Sequence, residues 1–330
     1  MENTVFLSSI AKMKTIKISG LACLLAFLPG LASAQVEPGT LAHWWQQAQQ
    51  TWREGVTSHQ IDIENDSLLL KRDDGMFTSG NRYRLQSWQS DARRAMVSEW
   101  RIGHDIYTPL DIKLPAALVR APDHPYAAWL YTGFSHSEWQ MNGSQIGFGL
   151  DLGCLGPCAG GEAVQTRLHR ILRQPLPQGW AKQVKNEWGA IFSLDWAGAR
   201  SQLGSSADWQ PRAQLRLGNI NTDATLGAVL RFGQRNSLPQ NAAQFGYLSL
   251  DARAVGYDAT LQGGYFAKDN QHTVAPKRLY AQAEVGMQWV GQEYAARVGV
   301  VRRGNTIRDL PNSAGAQNYM SLQLVYTPSK

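Results

Sequence analysis

The sequence predicts an all-β protein, an antiparallel transmembrane β-barrel with one or two short helices, and three observations lead to this fold class. First, 43% of the 330 residues are hydrophobic and 18% are charged, which fits neither a disordered chain nor a polytopic helical membrane protein. Second, only residues 16–31 form a continuous apolar segment, so later contact with a bilayer cannot use helices. Third, 12 Trp, 11 Tyr, 9 Phe and 31 Gly in a weakly charged background suit strands, turns and aromatic girdles.

Residues 1–34 have the organisation of a secretory signal peptide. Lysines precede the apolar run, which ends in Ala32-Ser33-Ala34, a small-residue cleavage site of the A-x-A type. Met13 is an alternative start, because the residues before it add little to this pattern. A transmembrane anchor is the competing interpretation, but the apolar run is shorter than the ~20 residues that a spanning helix needs.

The exported chain is basic, with a net charge of +6 before cleavage. Because the chain is exported, we do not expect nucleic acid among its natural partners. Phosphorylated lipid head groups are then the abundant anionic partner at a bacterial surface.

Two cysteines remain after cleavage, Cys154 and Cys158. An oxidising compartment favours a disulfide between them that staples one turn. A metal pair is the alternative, but no second Cys or His pair at ligand spacing lies nearby.

Residues 35–57 form an N-terminal amphipathic extension in front of a barrel that we place at 58–330. Within it, the helical spacing predicts a short amphipathic helix over 41–53. Two roles are open for this helix: docking on a membrane interface through its tryptophans, or covering the end of the domain. Its apolar face consists of Leu41, Trp44, Trp45, Ala48 and Trp52.

Alternation with a period of two is the strongest signal in the second half of the chain. Residues 279–289 alternate strictly between apolar and polar, and residues 294–300 repeat the pattern after the short turn 291–293, so the two runs predict a hairpin. Further strands are predicted at 213–217, 224–232 and 320–326, and less regular ones near 58–66, 80–89, 97–108 and 127–135.

One apolar and one polar face over about 9 to 11 residues is what a transmembrane barrel with a polar interior requires. A soluble barrel or sandwich would place the apolar face inside, and alternation alone does not distinguish inside from outside. Strand length, aromatic residues near strand ends and the signal peptide favour the outer membrane. One departure is the C-terminus, where Tyr326 is followed by four further residues instead of ending the chain.

Four polar clusters lie in the first half of the chain. Taken singly, the first three have ordinary explanations as a turn former, a loop and an anchored corner. The clusters are Glu64-Asn65-Asp66, Phe77-Thr78-Ser79-Gly80, Asp123-His124-Pro125-Tyr126-Ala127, and Glu162 to His169.

The fourth cluster predicts a short helix between Gly160-Gly161 and Pro175. Glu162, Gln165 and His169 share one of its faces, at i, i+3 and i+7, and an apolar set shares another. An acid, an amide and an imidazole on one line are typical of an oriented general base, because the second ring nitrogen needs an acceptor that fixes the tautomer. The alternative is a surface helix with an incidental histidine.

In their order along the chain, these motifs resemble the outer-membrane lipid A 3'-O-deacylases. Weaker likeness continues through residues 257–266, so nearly all of residues 58–326 is covered. The motifs are Ile63-Glu-Asn-Asp66, Phe77-Thr-Ser-Gly80, Tyr107-Thr-Pro109, Asp123-His-Pro-Tyr-Ala127, Gly161-Glu-Ala-Val-Gln165 with His169, and Gly179-Trp180 with Gln183 and Glu187.

The resemblance implies a barrel of about twelve strands in the bacterial outer membrane. It also implies a calcium-dependent esterase that acts on lipid A of lipopolysaccharide in the outer leaflet, by a mechanism like that of phospholipase A2. The family's essential Asn-Asp pair falls on Asn65 and Asp66, its motif Thr on Thr78 and its catalytic His on His169. The family often has an Arg where this chain has His124, so the phosphate contact at that point differs.

The residue types fit ester hydrolysis. Neutral His169 can deprotonate a water molecule, and Asn65 or Thr78 can donate hydrogen bonds to the oxyanion. We expect Asp66, with Glu162, to hold the Ca²⁺ ion through hard oxygens. The expected substrate-binding residues are His124, Tyr126 and Gln165.

Alternatives stay open at this point. No Gly-x-Ser-x-Gly elbow is present, although Ser67 and Ser79 lie close enough to the motifs for a His-Ser hydrolase. The same barrel could be an outer-membrane phospholipase, or a non-enzymatic barrel whose polar clusters fill its interior. In each case we expect a membrane-embedded monomer.

Overall fold

In a computed structural model, which describes residues 41–69, 75–91 and 93–329, the chain forms a closed antiparallel barrel of twelve long strands and one short one. The predicted signal peptide lies outside the described residues. The strands are β1 (Val56–Asn65), β2 (Met76–Ser90), β3 (Arg94–Thr108), β4 (Ala127–Gln140), β5 (Gln145–Leu155), β6 (Glu187–Ala197), β7 (Ser201–Leu203), β8 (Ala207–Gly218), β9 (Asn221–Gln234), β10 (Ala243–Asp258), β11 (Leu279–Val290), β12 (Tyr294–Arg303) and β13 (Gln317–Tyr326). The helices are α1 (Leu41–Glu54), α2 (Gly161–Leu172), α3 (Ala259–Gln262) and α4 (Asn312–Gly315).

Each long strand pairs with its neighbour in the chain, and the barrel closes because β1 pairs with both β2 and β13. The short strand β7 belongs to a hairpin with β8, so β6 continues the wall by pairing directly with β8. Closure gives each of the twelve long strands a partner on both sides, which a structure that spans lipid requires.

The two ends of the barrel differ in their connections. One end, here called the loop end, carries long segments, among them residues 109–126, 156–186 and 259–278. The other, the turn end, has tight turns such as 141–144 and 291–293. Outer-membrane barrels have short periplasmic turns and longer extracellular loops.

The wall of the barrel is apolar outside and polar inside. Outward residues such as Ile102 and Leu250 are about half exposed, at 52% and 56%. Inside, Arg84 pairs with Glu99 at 3.1 Å and Arg101 pairs with Asp151 at 2.7 Å, around a cavity of about 900 Å³. The polar face therefore lines the interior, and the soluble alternative with an apolar interior is wrong.

None of the helices in the described part of the chain combines the length and the apolar character needed to cross a bilayer.

The predicted fold class is confirmed, and the predicted strands correspond to observed ones. The predicted hairpin around residues 291–293 is present and joins β11 to β12. Four strands, β5, β6, β10 and the short β7, were not among the predictions. The wall also begins at Val56, two residues before the boundary that we drew from the sequence.

Helix α1 packs on the outer wall near the turn end. Ala48 and Thr51 are fully buried, and their carbonyl oxygens accept hydrogen bonds from Ser98 Oγ at 2.9 Å and Ser87 Oγ at 2.6 Å. Both serines alternate with residues that line the interior, so they face outward. Trp45 is 47% exposed and packs edge-on against Phe134 of β4, with ring centroids 5.6 Å apart.

Candidate active site

Helix α2 provides the histidine of the candidate site, and its position depends on a glycine. A side chain at Gly161 would place a Cβ 2.5 Å from Ala128 Cβ and 2.7 Å from the ring of Trp180. Only a residue without a side chain lets the helix begin this close to the wall. Just before the helix, the structure has a disulfide between Cys154, at the end of β5, and Cys158.

The buried face of α2 is its polar face. Gly161, Gln165 and His169 are buried against the barrel, at one-turn intervals. Four apolar side chains are instead exposed, Val164 at 45%, Leu168 at 44%, Ile171 at 77% and Leu172 at 54%. A helix on a water-soluble protein buries its apolar stripe, so this reversed arrangement indicates an apolar environment outside the helix.

His169 is held by the backbone. Its Nδ1 lies 2.6 Å from the carbonyl oxygen of Pro175, which can only accept, so Nδ1 carries the proton and donates it to this bond. In the neutral ring the lone pair is then on Nε2, the form that a general base requires. The sequence suggested that an acid or amide of the helix would orient the ring, whereas the acceptor is a carbonyl beyond the end of the helix.

Gln165 has a fixed side chain with a buried donor. Its Oε1 accepts a hydrogen bond from Trp180 Nε1 at 2.9 Å, which fixes the orientation of the amide. Its Nε2 is buried and has no hydrogen-bond partner among the described residues. Because an unsatisfied buried donor costs about 1 to 3 kcal/mol, such a group is a candidate for binding a ligand.

Trp180 joins Gln165 to Tyr126. The rings of Tyr126 and Trp180 are 4.9 Å apart, and both residues are fully or almost fully buried. The Tyr126 hydroxyl donates a hydrogen bond to the carbonyl oxygen of Ile112 at 3.2 Å. Tyr126 therefore packs against Trp180 and helps to fix the ring that holds Gln165.

The register of the wall places the first cluster on the same outer surface. Asn65, Ser79, Ile106 and Ala128 form one row across β1 to β4. On these strands the alternate positions line the interior, so the row faces outward. At ~4.8 Å per strand, Asn65 lies roughly 14 Å from Ala128, the residue on which α2 begins.

Asn65 and Asp66 form a turn at the end of β1. The Asn65 Oδ1 accepts hydrogen bonds from the backbone N–H of Ser67 at 2.7 Å and from its hydroxyl at 2.5 Å. Asp66 is 6% exposed, and its Oδ2 accepts a hydrogen bond from the Gly75 N–H at 3.1 Å. The asparagine thus shapes the turn that carries the buried carboxylate.

Thr78 is the extra residue of a β-bulge between β2 and β3. The bulge directs its side chain toward Thr108, and the two hydroxyl oxygens are 2.7 Å apart. Thr108 alternates with Tyr107, which lines the interior, so this hydroxyl pair belongs to the outer surface.

His124 lies on the other side of the wall. It lines the interior cavity, is 2% exposed and stacks on Tyr107 with ring centroids 5.4 Å apart. Its Nδ1 is 2.6 Å from the carbonyl oxygen of Pro125, and burial lowers its pKa to about 4, so the ring is neutral at pH 7. The structure therefore does not place His124 with Gln165 and His169, which lie on the outer surface.

No group of three His, Cys, Asp or Glu side chains in the described ranges could hold a metal ion. Glu162 is exposed in the first turn of α2, whereas Asp66 is buried in the turn after β1. The atoms in this turn that could bind a metal ion are nonetheless hard oxygens, from the Asp66 carboxylate, the Asn65 amide and the turn backbone. Calcium takes such ligands. The chemistry of the Asp66 turn fits calcium, and the predicted pairing of Asp66 with Glu162 stays a prediction.

The sequence did not identify the residues that hold the site. Pro175 orients His169, Thr108 pairs with Thr78, and Trp180 fixes Gln165. The motif Gly179-Trp180 was the available signal for the last of these.

A family model described as outer membrane protein LpxR matches residues 21–327. Among solved structures, LpxR from Salmonella typhimurium matches with a TM-score of 0.68 and 20% sequence identity, over 82% of this chain and 100% of that chain. The β domain of the Bordetella autotransporter BrkA matches with a TM-score of 0.46 and 13% identity, over 84% of this chain and 99% of that chain. No curated protein sequence matches the chain.

Proposed function

The chain belongs to the family of the outer membrane protein LpxR, and on that premise we propose that it is an esterase that removes the 3'-linked acyloxyacyl chain from lipid A of lipopolysaccharide. The observation that carries the proposal is His169, whose protonated Nδ1 is held by Pro175 on the lipid-facing side of an outer-membrane barrel. A neutral imidazole oriented in this way is suited to activate water.

The position of the site supports a lipid substrate. Gln165, His169, Thr78 and Asn65 all belong to the outer surface at the loop end, which is extracellular in barrels of this type. The exposed apolar side chains of α2 lie beside them. An acyl chain of an outer-leaflet lipid can therefore reach the site without leaving the membrane.

In the proposed reaction, Nε2 of His169 takes a proton from a water molecule. The water oxygen forms a bond to the acyl carbonyl carbon, and the carbonyl oxygen takes up the negative charge. When the tetrahedral species collapses, the bond between this carbon and the 3'-oxygen breaks, and the imidazolium returns its proton to that oxygen. The products are the acyloxyacyl chain as a free carboxylic acid and a 3'-hydroxyl group.

Three side chains can donate hydrogen bonds to the developing oxyanion. Asn65 and Thr78 have this role in the expectation from the sequence. Gln165 adds a third donor, because its Nε2 is buried beside His169 with its orientation already fixed by Trp180. Preorganised donors stabilise the transition state because they need not reorient during the reaction.

The residue that would hold a calcium ion is Asp66, with Glu162 as the proposed second carboxylate. When bound, the ion would supply Lewis-acid polarisation of the ester carbonyl. Asn65 keeps the turn in shape, so that the Asp66 carboxylate keeps its position.

The test is mass spectrometry of lipid A from cells that produce the protein, the variant His169→Ala, or neither. We expect lipid A that has lost the 3'-linked chain only with the unchanged protein, and less of it when a calcium chelator is present. His43→Ala, at an exposed position on α1, serves as a control and should keep the activity.

Unaltered lipid A beside cleaved glycerophospholipid would replace the proposal by the phospholipase alternative. Lipid A that is processed equally by His169→Ala and the unchanged protein would reject the site. Unaltered lipids in all cells, with the folded barrel present, would favour a non-enzymatic barrel.

A further inference from the structure

Helix α2 has a third face, which is basic. Arg167 and Arg170 lie on this face, Arg173 follows as the residue that caps the C-terminal end of the helix, and all three are exposed. The segment 156–186 that carries them also contains Lys182 and Lys185, and its single acidic residue is Glu162. The loop next to the candidate site is therefore strongly cationic.

These arginines are not used within the protein. In the parts of the chain that the structure describes, no ion pair or side-chain hydrogen bond involves any of them. By contrast, Lys182 donates to the carbonyl oxygen of Val119 at 2.8 Å. Exposed cations without a partner are available to bind an anion from outside.

The three faces follow each other around the helix. At about 100° per residue, the buried face of Gln165 and His169 is flanked by the apolar face of Leu168 and Ile171, and Arg167 and Arg170 come next. The apolar face needs an apolar environment, so the arginines lie where that environment gives way to water. In a bilayer this is the level of the head groups.

His124 offers no cation to a lipid on the outer surface. It faces the interior cavity and is kept neutral at pH 7 by burial.

We propose that Arg167, Arg170 and Arg173 bind the phosphate groups of an outer-leaflet glycolipid and hold its ester over His169. This inference rests on the proposed function and adds to it the head-group chemistry of the substrate. It predicts that the protein prefers a phosphorylated lipid A to the same lipid without phosphates, and that the preference weakens in high salt.

The test compares the unchanged protein with the double variant Arg167→Gln, Arg170→Gln in detergent micelles. The substrates are phosphorylated lipid A and dephosphorylated lipid A with the same acyl chains. We expect KM for the phosphorylated lipid to rise about 30-fold, since each cation near an anionic lipid surface contributes about fivefold in affinity. Activity on the dephosphorylated lipid should be unchanged, and inorganic phosphate should compete only weakly with the lipid.

The matched control is the double variant Lys268→Gln, Arg308→Gln, which removes the same charge from exposed positions in two other loops at the loop end. It should keep the preference for phosphorylated lipid. Equal KM values for the α2 variant and the unchanged protein would overturn the proposal, and so would an equal loss with the control.

Binding separates this proposal from the proposed function. Native mass spectrometry with a chelator present measures lipid binding without turnover. If the unchanged protein hydrolyses neither lipid, the proposed function fails, and the binding measurement alone decides the inference. Loss of phosphorylated lipid from the α2 variant would then support it, and equal binding would reject it.

Discussion

Gln165 and His169 are one helical turn apart on the buried face of α2, and each is oriented by a neighbour outside the helix. Trp180 holds the amide of Gln165, and the Pro175 carbonyl holds the imidazole of His169. Both neighbours come from the segment that follows the helix. The Nε2 atoms of Gln165 and His169 are therefore positioned by the segment that follows α2 as well as by the helix.

The donor role of Gln165 can be tested with Gln165→Glu. The carboxylate can still accept the hydrogen bond from Trp180, but it offers no donor to an oxyanion and places a negative charge beside it. We expect kcat for lipid A to fall by about 10² to 10³, the usual loss when one oxyanion donor is removed.

Gln174→Glu is the control, because it makes the same chemical change at an exposed position near the helix end. Its kcat should stay within about twofold of the value for the unchanged protein, because surface substitutions usually have small effects. A fully active Gln165→Glu variant would exclude the amide as a donor.

His124 predicts a loss of stability in acid. Burial lowers its pKa from 6.5 to about 4, so the folded protein holds this ring neutral while the unfolded chain protonates it below pH 6.5. The contribution of the ring is therefore complete above about pH 6.5 and is lost as the pH falls toward 4. His272, whose pKa burial also lowers, acts in the same direction.

We expect the midpoint of thermal unfolding to fall between pH 6.5 and pH 4, and to fall less in His124→Asn. Circular dichroism during heating at several pH values measures this difference. An unchanged pH dependence in the variant would show that His124 does not contribute.

At the scale of elements, one carboxylate holds a loop to the wall. Glu187, at the start of β6, accepts hydrogen bonds from the backbone N–H groups of Tyr265, Phe266 and Ala267 at 2.8 to 2.9 Å. The Asn219 side chain donates to the same carboxylate at 2.8 Å. The sequence motifs at Glu187 and at residues 261–266 are far apart in the chain, and this contact joins them.

Glu187→Gln should loosen the loop between β10 and β11. A neutral amide oxygen accepts these hydrogen bonds more weakly than a carboxylate, and the amide nitrogen would face backbone donors. We expect faster cleavage of residues 263–278 by a protease, at a position that mass spectrometry identifies, with the barrel intact.

Asp309→Asn, at an exposed acid in another loop of the same end, should not change the cleavage rate. If Glu187→Gln is cleaved no faster than this control, the loop is held by its other contacts.

At the scale of the whole molecule, the barrel is stable only in a medium that accepts its apolar exterior. Leu250, in the middle of β10, is 56% exposed on that exterior, while its neighbours on the strand, Ser249 and Asp251, bond to Arg212 inside the wall. The same strand thus meets lipid on one face and an ionic network on the other.

Leu250→Arg should destabilise the barrel by about 2 to 4 kcal/mol, the cost of an arginine on the lipid face near the bilayer centre. Leu203→Arg is the control, since Leu203 is 50% exposed in the short hairpin at the turn end. Urea unfolding in lipid vesicles measures both. Equal stabilities would show that Leu250 does not contact the bilayer core.

How far the sequence predicts a strand depends on what alternates along it. In β11 and β12 every second residue is apolar, and the prediction follows directly. In β5 three of the inward positions are Gly147, Gly149 and Gly153. Asp151 is the only charged residue on its inner face, so the alternation is too weak to predict the strand. A Cβ at Gly149 would lie 2.7 Å from Ser193 Oγ, so crowding inside the barrel, which only the closed structure reveals, accounts for this glycine.

By itself the sequence determined the fold class, the two longer helices and the order of the motifs, because these depend on periodicity and on residue types that are close in the chain. Only the tertiary structure decided which face of each strand meets lipid, and therefore that Asn65, Thr78, Gln165 and His169 share the outer surface while His124 faces the interior. A shift of one residue along a strand exchanges its two faces, and the local pattern is the same in either case. The side that each residue occupies is fixed only when all twelve strands close and the chain after α2 returns to the wall.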